Sequence, residues 1–214
     1  KKVLLCTGET FCRGNKEKQE PPYYRAPFGG DAANITIVEN GGQDKICYEF
    51  HQDGSQRKCL VIPDGAFRNP MTVEQIQNQI VRMPLTGVVM DGSTVFNFAQ
   101  KEVPILVDSL TKMAETTKED IDWFLFHQPN KFMLQKLAER IGVPFEKMPM
   151  DIVEKFGNSN SATIPTAITA DLKEEMLNKE SLCCLAGFGA GVAWAGIIMK
   201  MGNMDFCDTI ISDL

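Results

Sequence analysis

Residues 121–130 read Ile-Asp-Trp-Phe-Leu-Phe-His-Gln-Pro-Asn, and the fold is decided there. From Ile121 to Phe126 the run is almost wholly apolar, short, and cut off at once by polar residues. That is how a strand buried on both faces reads. His127-Gln128-Pro129-Asn130 ends it. Lys131 to Ile141 then shows helical spacing and stops at Gly142, a residue suited to the left-handed turn that closes a helix. Working upstream, Asp91-Gly92-Ser93 precedes a long helical pattern from about Thr94 to Thr116. Pro104 lies inside it and is expected to kink it or shift its start. Working downstream, Asp151 to Phe156 reads as a short strand before Gly157-Asn158-Ser159-Asn160-Ser161. A helix is predicted from about Ala162 to Leu177, with Pro165 tolerated in its first turn. Ser181 to Leu185 and Gly191 to Met199 read as two antiparallel strands around a glycine-rich turn, Gly187 to Gly191. Helices alternating with strands in this order predict an α/β layered sheet with helices on its faces.

The N-terminal part is strand-rich. Val3 to Cys6 reads as a short buried strand and residues 13–22 as a polar surface loop. Asn34 to Val38 follows Gly29-Gly30 with β-branched strand character. Lys45 to Phe50 and Lys58 to Ile62 read as two strands around a turn at Asp53-Gly54. Asn69 to Met83 has helical spacing.

The chain has 214 residues and a net charge of −6, from 28 acidic and 22 basic residues. Nucleic acid needs a basic field, so it is not expected as the main partner. No apolar run is long enough to cross a bilayer, and no membrane association is expected. Seven cysteines and two histidines, with no CxxC, argue against a disulfide framework or a zinc site. Buried, reduced thiols in a cytoplasmic protein are the plainer expectation.

Three loops sit at strand ends: 127–130, 157–161 and 187–191. In open α/β sheets ligands bind beyond strand ends. His127 follows a very apolar strand, where burial favours the neutral imidazole. A neutral imidazole carries one N–H, and Asn158 carries an amide; together they can donate to a carbonyl oxygen gaining negative charge. Spacing alone fits equally a satisfied core histidine and a turn asparagine. Cys183 and Cys184 alternate faces of a predicted strand and lack a helix N-terminus that would favour a thiolate.

In combination, 122–130 (DWFLFHQPN), 155–165 (KFGNSNSATIP) and 185–196 (LAGFGAGVAWAG) closely resemble three segments of β-ketoacyl-acyl-carrier-protein synthase III, a thiolase-fold condensing enzyme. These are its His-Gln-x-Asn, Gly-Asn-[Ser/Thr]…Pro and terminal Phe-Gly-x-Gly segments. Residues 87–100 resemble the stretch that lines its pantetheine tunnel, and 3–12 and 29–38 the last strands of its N-terminal half. The resemblance implies a layered αβαβα fold, with 1–40 closing the first half and 41–214 forming the second.

It also implies a decarboxylative Claisen condensation in fatty acid or polyketide biosynthesis. An acyl group on a cysteine would react with a malonyl thioester of acyl carrier protein or coenzyme A, with no cofactor and no metal. By similarity His127 and Asn158 grip the thioester carbonyl. A backbone amide near Gly189-Ala190 holds the acyl-cysteine oxyanion, Phe188 lines the site, and Gly92, Phe96 and Asn130 stand near the pantetheine arm. The family's cysteine would precede Lys1, so this chain alone is expected to be inactive. The family's homodimer interface lies largely in the other half, which leaves dimerisation of this piece unsupported. The face that is basic in bacterial fatty-acid members here carries Asn97, Phe132, Glu139 and Arg140, with Lys131 and Lys136 nearby. Alternatives are a specialised-metabolite enzyme using coenzyme A thioesters and a non-catalytic thiolase-fold partner subunit.

Overall fold

A computed structural model describes residues 2–10, 29–39, 42, 44–63, 67, 69–70, 72–74, 77 and 89–212. The helix expected over 69–83 lies largely outside the described residues.

The centre of the fold is a four-stranded sheet in the order β3 (Cys47–Gln52), β8 (Ala193–Gly202), β7 (Glu180–Gly189), β6 (Trp123–Phe126). β6 and β7 run parallel, with Phe126 opposite Ala186; the other neighbours are antiparallel. One face packs on α1 (Gly92–Met113) and α2 (Lys131–Ile141), the other on α4 (Thr163–Asp171) and α5 (Lys173–Asn178). Alternation along β6 and β7 follows from the period of two in a strand. Phe124, Phe126 and Cys184 point to the α1–α2 face, while Leu125 and Cys183 point to the α4–α5 face. Each such fully buried large side chain contributes roughly 1.5–3 kcal/mol. Gly196 on β8 lets α1 lie close, since a Cβ there would fall 2.7 Å from a Leu110 methyl.

α1 begins at Asp91, whose carboxylate accepts from the backbone N–H of Thr94 at 3.0 Å and from the hydroxyls of Ser93 and Thr94 at 2.7 Å each. These bonds hold the carboxyl at about 2. Pro104 sits inside α1, which nonetheless runs as one element. The buried face it belongs to, Val103, Leu106, Val107 and Leu110, holds the turn in place where the missing N–H would weaken it. α2 starts with Asn130, whose Oδ1 accepts from the Met133 N–H at 2.8 Å, and ends at Gly142 with φ 81°.

Several expectations change. Residues 152–156 form α3 (Ile152–Phe156), not a strand; Ile152 is buried and Gly157, at φ 74°, stops the turn. The single helix expected over 162–177 is two, α4 and α5, parted at Leu172, whose φ −122° and ψ 19° are not helical. β7 runs on through Gly187 and Gly189, so the turn is shorter than the glycine pattern suggested. β3 and β4 (Leu60–Val61) do not pair: β3 joins β8, and β4 pairs with β5 (Val89–Met90). A 3-10 turn, Gly54–Gln56, capped by Asp53, redirects the chain between them.

β1 (Lys2–Thr10) and β2 (Asp31–Glu39) pair antiparallel as a separate ribbon, with Lys2 opposite Glu39. The strand expected as buried over 3–6 is exposed: Val3, Leu4 and Leu5 are more than half accessible, and Cys6 is exposed as well. A two-stranded ribbon has no third strand or helix over these side chains among the described residues. Its polar ties run to the segment after α3. Asn34 donates to the carbonyl of Ala162 at 3.2 Å and to Thr166 at 3.4 Å, and Gly30 N–H donates to the Asn158 carbonyl at 3.0 Å.

Candidate active site

The three loops converge, although 157–161 follows helix α3 and not a strand. A cavity of about 590 Å³ opens beyond β6 and β7, and all eight residues singled out above line it: Gly92, Phe96, His127, Asn130, Asn158, Phe188, Gly189 and Ala190. Gly92, Gly187 and Gly189 help make the space, since a Cβ at any of them would meet nothing within 4 Å. A second hollow, of about 530 Å³ beside Trp123, Met150 and Glu175, contains none of the eight.

His127 is placed by the sheet. Its backbone N–H donates to the Ala186 carbonyl at 2.8 Å, which continues the β6–β7 ladder one residue past Phe126. The ring stands edge-on to Phe188, centroids 5.6 Å apart at 79°. Its Nδ1 lies 2.8 Å from the Thr163 hydroxyl. Burial drives the imidazole pKa down to about 4, against a smaller opposing pull from the Asn160 carbonyl. At neutral pH the ring is therefore uncharged and carries one N–H.

Asn158 is placed by backbone. Gly157 turns the chain at φ 74°, and Gly29 bridges Asn158 as a short parallel contact. The Asn158 Oδ1 accepts from the Asn160 N–H at 2.9 Å, so the group left to meet a ligand is the NH₂, a donor. A neutral imidazole and a carboxamide lining one cavity suit an oxygen that gains charge during reaction.

Among the described residues no cysteine lines the cavity. Cys183 and Cys184 are both fully buried in β7, and burial pushes both thiols up to about 12, far from thiolate chemistry. Among the described residues no group of His, Cys, Asp and Glu is placed to hold a metal ion, and no helix is long and apolar enough to cross a membrane.

Two features escaped the sequence. Thr163 and Asn160 are the partners of the imidazole, and Gly29-Gly30 is the seat of Asn158. The glycine pair was a visible signal, but its contact is 128 positions away in the chain.

The depressed pKa of His127 has a consequence for stability. The unfolded chain, at about 6.5, takes up a proton that the folded chain resists until about 4. The stability His127 allows is therefore whole above pH 6.5 and falls as pH drops toward 4, by at most about 3 kcal/mol. Denaturant midpoints measured over this range should fall more steeply for the wild type than for His127→Asn. Parallel slopes would mean that the ring is freely solvated.

Comparisons with known proteins bear on the fold and on the family the chain resembles. The family model described as 3-oxoacyl-[acyl-carrier-protein (ACP)] synthase III C terminal matches residues 111–201. The β-ketoacyl-[acyl-carrier-protein] synthase III of Synechocystis sp. is 32% identical over 172 residues, 80% of this chain and 51% of that protein. The protein of the same name from Natranaerobius thermophilus is 32% identical over 174 residues, with the same coverage of 80% and 51%. The chain thus spans about half the length of the curated relatives it matches. Among solved structures, a 3-oxoacyl-(acyl-carrier protein) synthase from Burkholderia xenovorans superposes with a TM-score of 0.83 at 32% identity, over 99% of this chain and 59% of that one. The priming β-ketosynthase of the R1128 polyketide pathway superposes with a TM-score of 0.63 at 25% identity, over 81% of this chain and 50% of that one. Residues 111–201 thus match the C-terminal model of the 3-oxoacyl-[acyl-carrier-protein] synthase III family, and the chain is similar to those enzymes in its thiolase-like layered α/β fold.

Proposed function

We propose that this chain supplies the decarboxylation side of a condensing active site, in which a malonyl thioester is joined to an acyl group held on a cysteine outside the cavity residues described. The observation that carries the reading is that His127 and Asn158 line the same cavity, the imidazole uncharged and the Asn158 Oδ1 already occupied by the Asn160 N–H. The thioester carbonyl oxygen accepts from His127 Nε2–H and from the Asn158 NH₂. The bond between Cα and the carboxylate breaks, carbon dioxide leaves, and the electron pair forms an enolate whose charge rests on that oxygen. The enolate carbon attacks the acyl-cysteine carbonyl. A carbon–carbon bond forms, and collapse of the tetrahedral intermediate expels the cysteine thiolate. Backbone N–H near Gly189-Ala190 serves the second oxyanion. Gly92, Phe96 and Asn130 line the cavity with Met90 and Val95, and they are assigned to the thioester arm. A neutral imidazole suits this role, because it donates without needing to be charged first.

The complete protein should release carbon dioxide from a malonyl thioester and form a 3-oxoacyl product. The 214-residue chain alone should do neither and should take up no acyl label. Its two central thiols are locked in the core, and among the described residues no cysteine lines the cavity. Acyl-enzyme on the isolated chain would overturn the division of labour; a complete protein that only binds thioesters would favour a non-catalytic partner subunit.

One observation bears on the donor. On α2 Lys131 is paired with Asp151 at 2.7 Å and Glu154 at 3.4 Å, and Lys136 with Glu139 at 2.7 Å. Phe132 is exposed and stacks on Phe96, centroids 5.9 Å apart. Paired cations steer an acidic carrier protein weakly. This favours a coenzyme A thioester as donor, and kcat/KM for malonyl-coenzyme A against malonyl-carrier decides it.

A further inference from the structure

Thr163 opens α4 and is 1% exposed. Its Oγ1 accepts from the backbone N–H of Gln128 at 3.3 Å. The hydroxyl has one proton and two neighbours that could take it: the Asn160 carbonyl and His127 Nδ1, each at 2.8 Å. The Asn160 carbonyl already accepts the backbone N–H of Thr163, so it is satisfied without the hydroxyl. Nδ1 has no other hydroxyl or N–H within bonding distance among the described residues. With the proton on Nδ1 the ring would donate to the same hydroxyl, so it is the role of His127 as a donor at Nε2 that makes Nδ1 an acceptor and Thr163 its donor. The choice matters because the proton on one nitrogen of a neutral imidazole fixes the state of the other.

We propose that Thr163 is a positioning residue, which gives its hydroxyl hydrogen bond to His127 Nδ1 and so holds the ring in the tautomer with the proton on Nε2. This rests on the reading of His127 as a donor to the thioester oxygen, but the tautomer can be observed without any reaction. With Thr163→Val the hydroxyl is gone and the shape is nearly kept. The Asn160 carbonyl then becomes the remaining partner for Nδ1, and it is an acceptor only. The ring proton moves to Nδ1, and Nε2 presents a lone pair to the cavity. A lone pair repels a carbonyl oxygen where a proton attracts it. Thr163→Ser restores the hydroxyl.

The test is nitrogen NMR of protein labelled at histidine, recorded near pH 7. The chain has two histidines, so a His51→Gln background leaves one ring to read. The expected result is protonated Nε2 in the wild type and in Thr163→Ser, and protonated Nδ1 in Thr163→Val. In the complete protein, condensation by Thr163→Val should fall by about tenfold or more, mainly in kcat, as a wrong tautomer does in other enzymes. Thr163→Ser should recover most of it. A wild-type ring protonated at Nδ1, or a Thr163→Val ring still protonated at Nε2, overturns the inference. A tautomer switch with undiminished condensation upholds the inference and instead removes His127 from the proposed chemistry.

Discussion

His127→Ala in the complete protein is expected to slow condensation by about 10²–10³-fold, the cost of one oxyanion donor, about 2.7–4 kcal/mol. Asn158→Ala should cost a similar amount. Both donors serve one oxygen, so the double variant should lose less than the product of the two effects. The loss should be confined to one half-reaction. Loading of the acyl group on the cysteine should stay within about threefold of wild type, because that oxyanion is assigned to backbone N–H near Gly189-Ala190. The His127 ring also packs on Phe188, and its loss leaves a gap in the wall. His127→Gln keeps bulk and one donor and should fall between alanine and wild type. The measurements are single-turnover acylation and carbon dioxide release, beside a denaturation curve for each variant. Loss of both half-reactions in equal measure would point to a damaged pocket, and retention of condensation in both single variants would end the proposal.

Much of this site was legible because its residues are local signals. His127 ends an apolar run that only a buried strand explains, and the structure places Phe124, Leu125 and Phe126 fully inside. Gly142 stops α2 where the end of the helical spacing put it, and Asn130 caps the other end. What was not legible depends on distant parts of the chain. Residues 152–156 contain Ile152 and Val153, which favour strands, yet none of the described strands pairs with them. A single helical turn buries Ile152 instead. The apolar residues of β1 gave a correct strand and a wrong burial, because periodicity reports what a side chain prefers and not what covers it. Likewise the glycines of 187–191 read as one turn, although two of them widen the cavity from within β7.

The glycine pair at 29–30 leads to the largest structural effect expected. Asn158 is held where it is by two stretches of bare backbone lying against each other. Gly30 N–H donates to the Asn158 carbonyl at 3.0 Å, and Gly29 bridges Asn158. A Cβ on Gly30 would fall 1.9 Å from the Phe156 carbonyl oxygen and 2.9 Å from the Gly157 carbonyl carbon. One on Gly157 would fall 2.4 Å from the Gly29 oxygen, at a φ of 74° that L residues avoid. These are backbone atoms, so no rotamer change relieves the clash. Gly30→Ala and Gly157→Ala should each lower stability by about 3 kcal/mol or more. They press on the same contact, so their combination should cost less than the sum. Gly54→Ala is the control, since nothing stands within 4 Å of its Cβ, and it should shift stability by no more than about 0.5 kcal/mol. Where a Gly30→Ala protein still folds, the ribbon must stand off from Gly157, and Asn158 moves with its backbone. Condensation should then fall toward the level of Asn158→Ala while His127 keeps its low pKa. A Gly30→Ala chain as stable as Gly54→Ala would show that the ribbon does not rest on this loop, and that the carboxamide is held by the Asn160 turn alone.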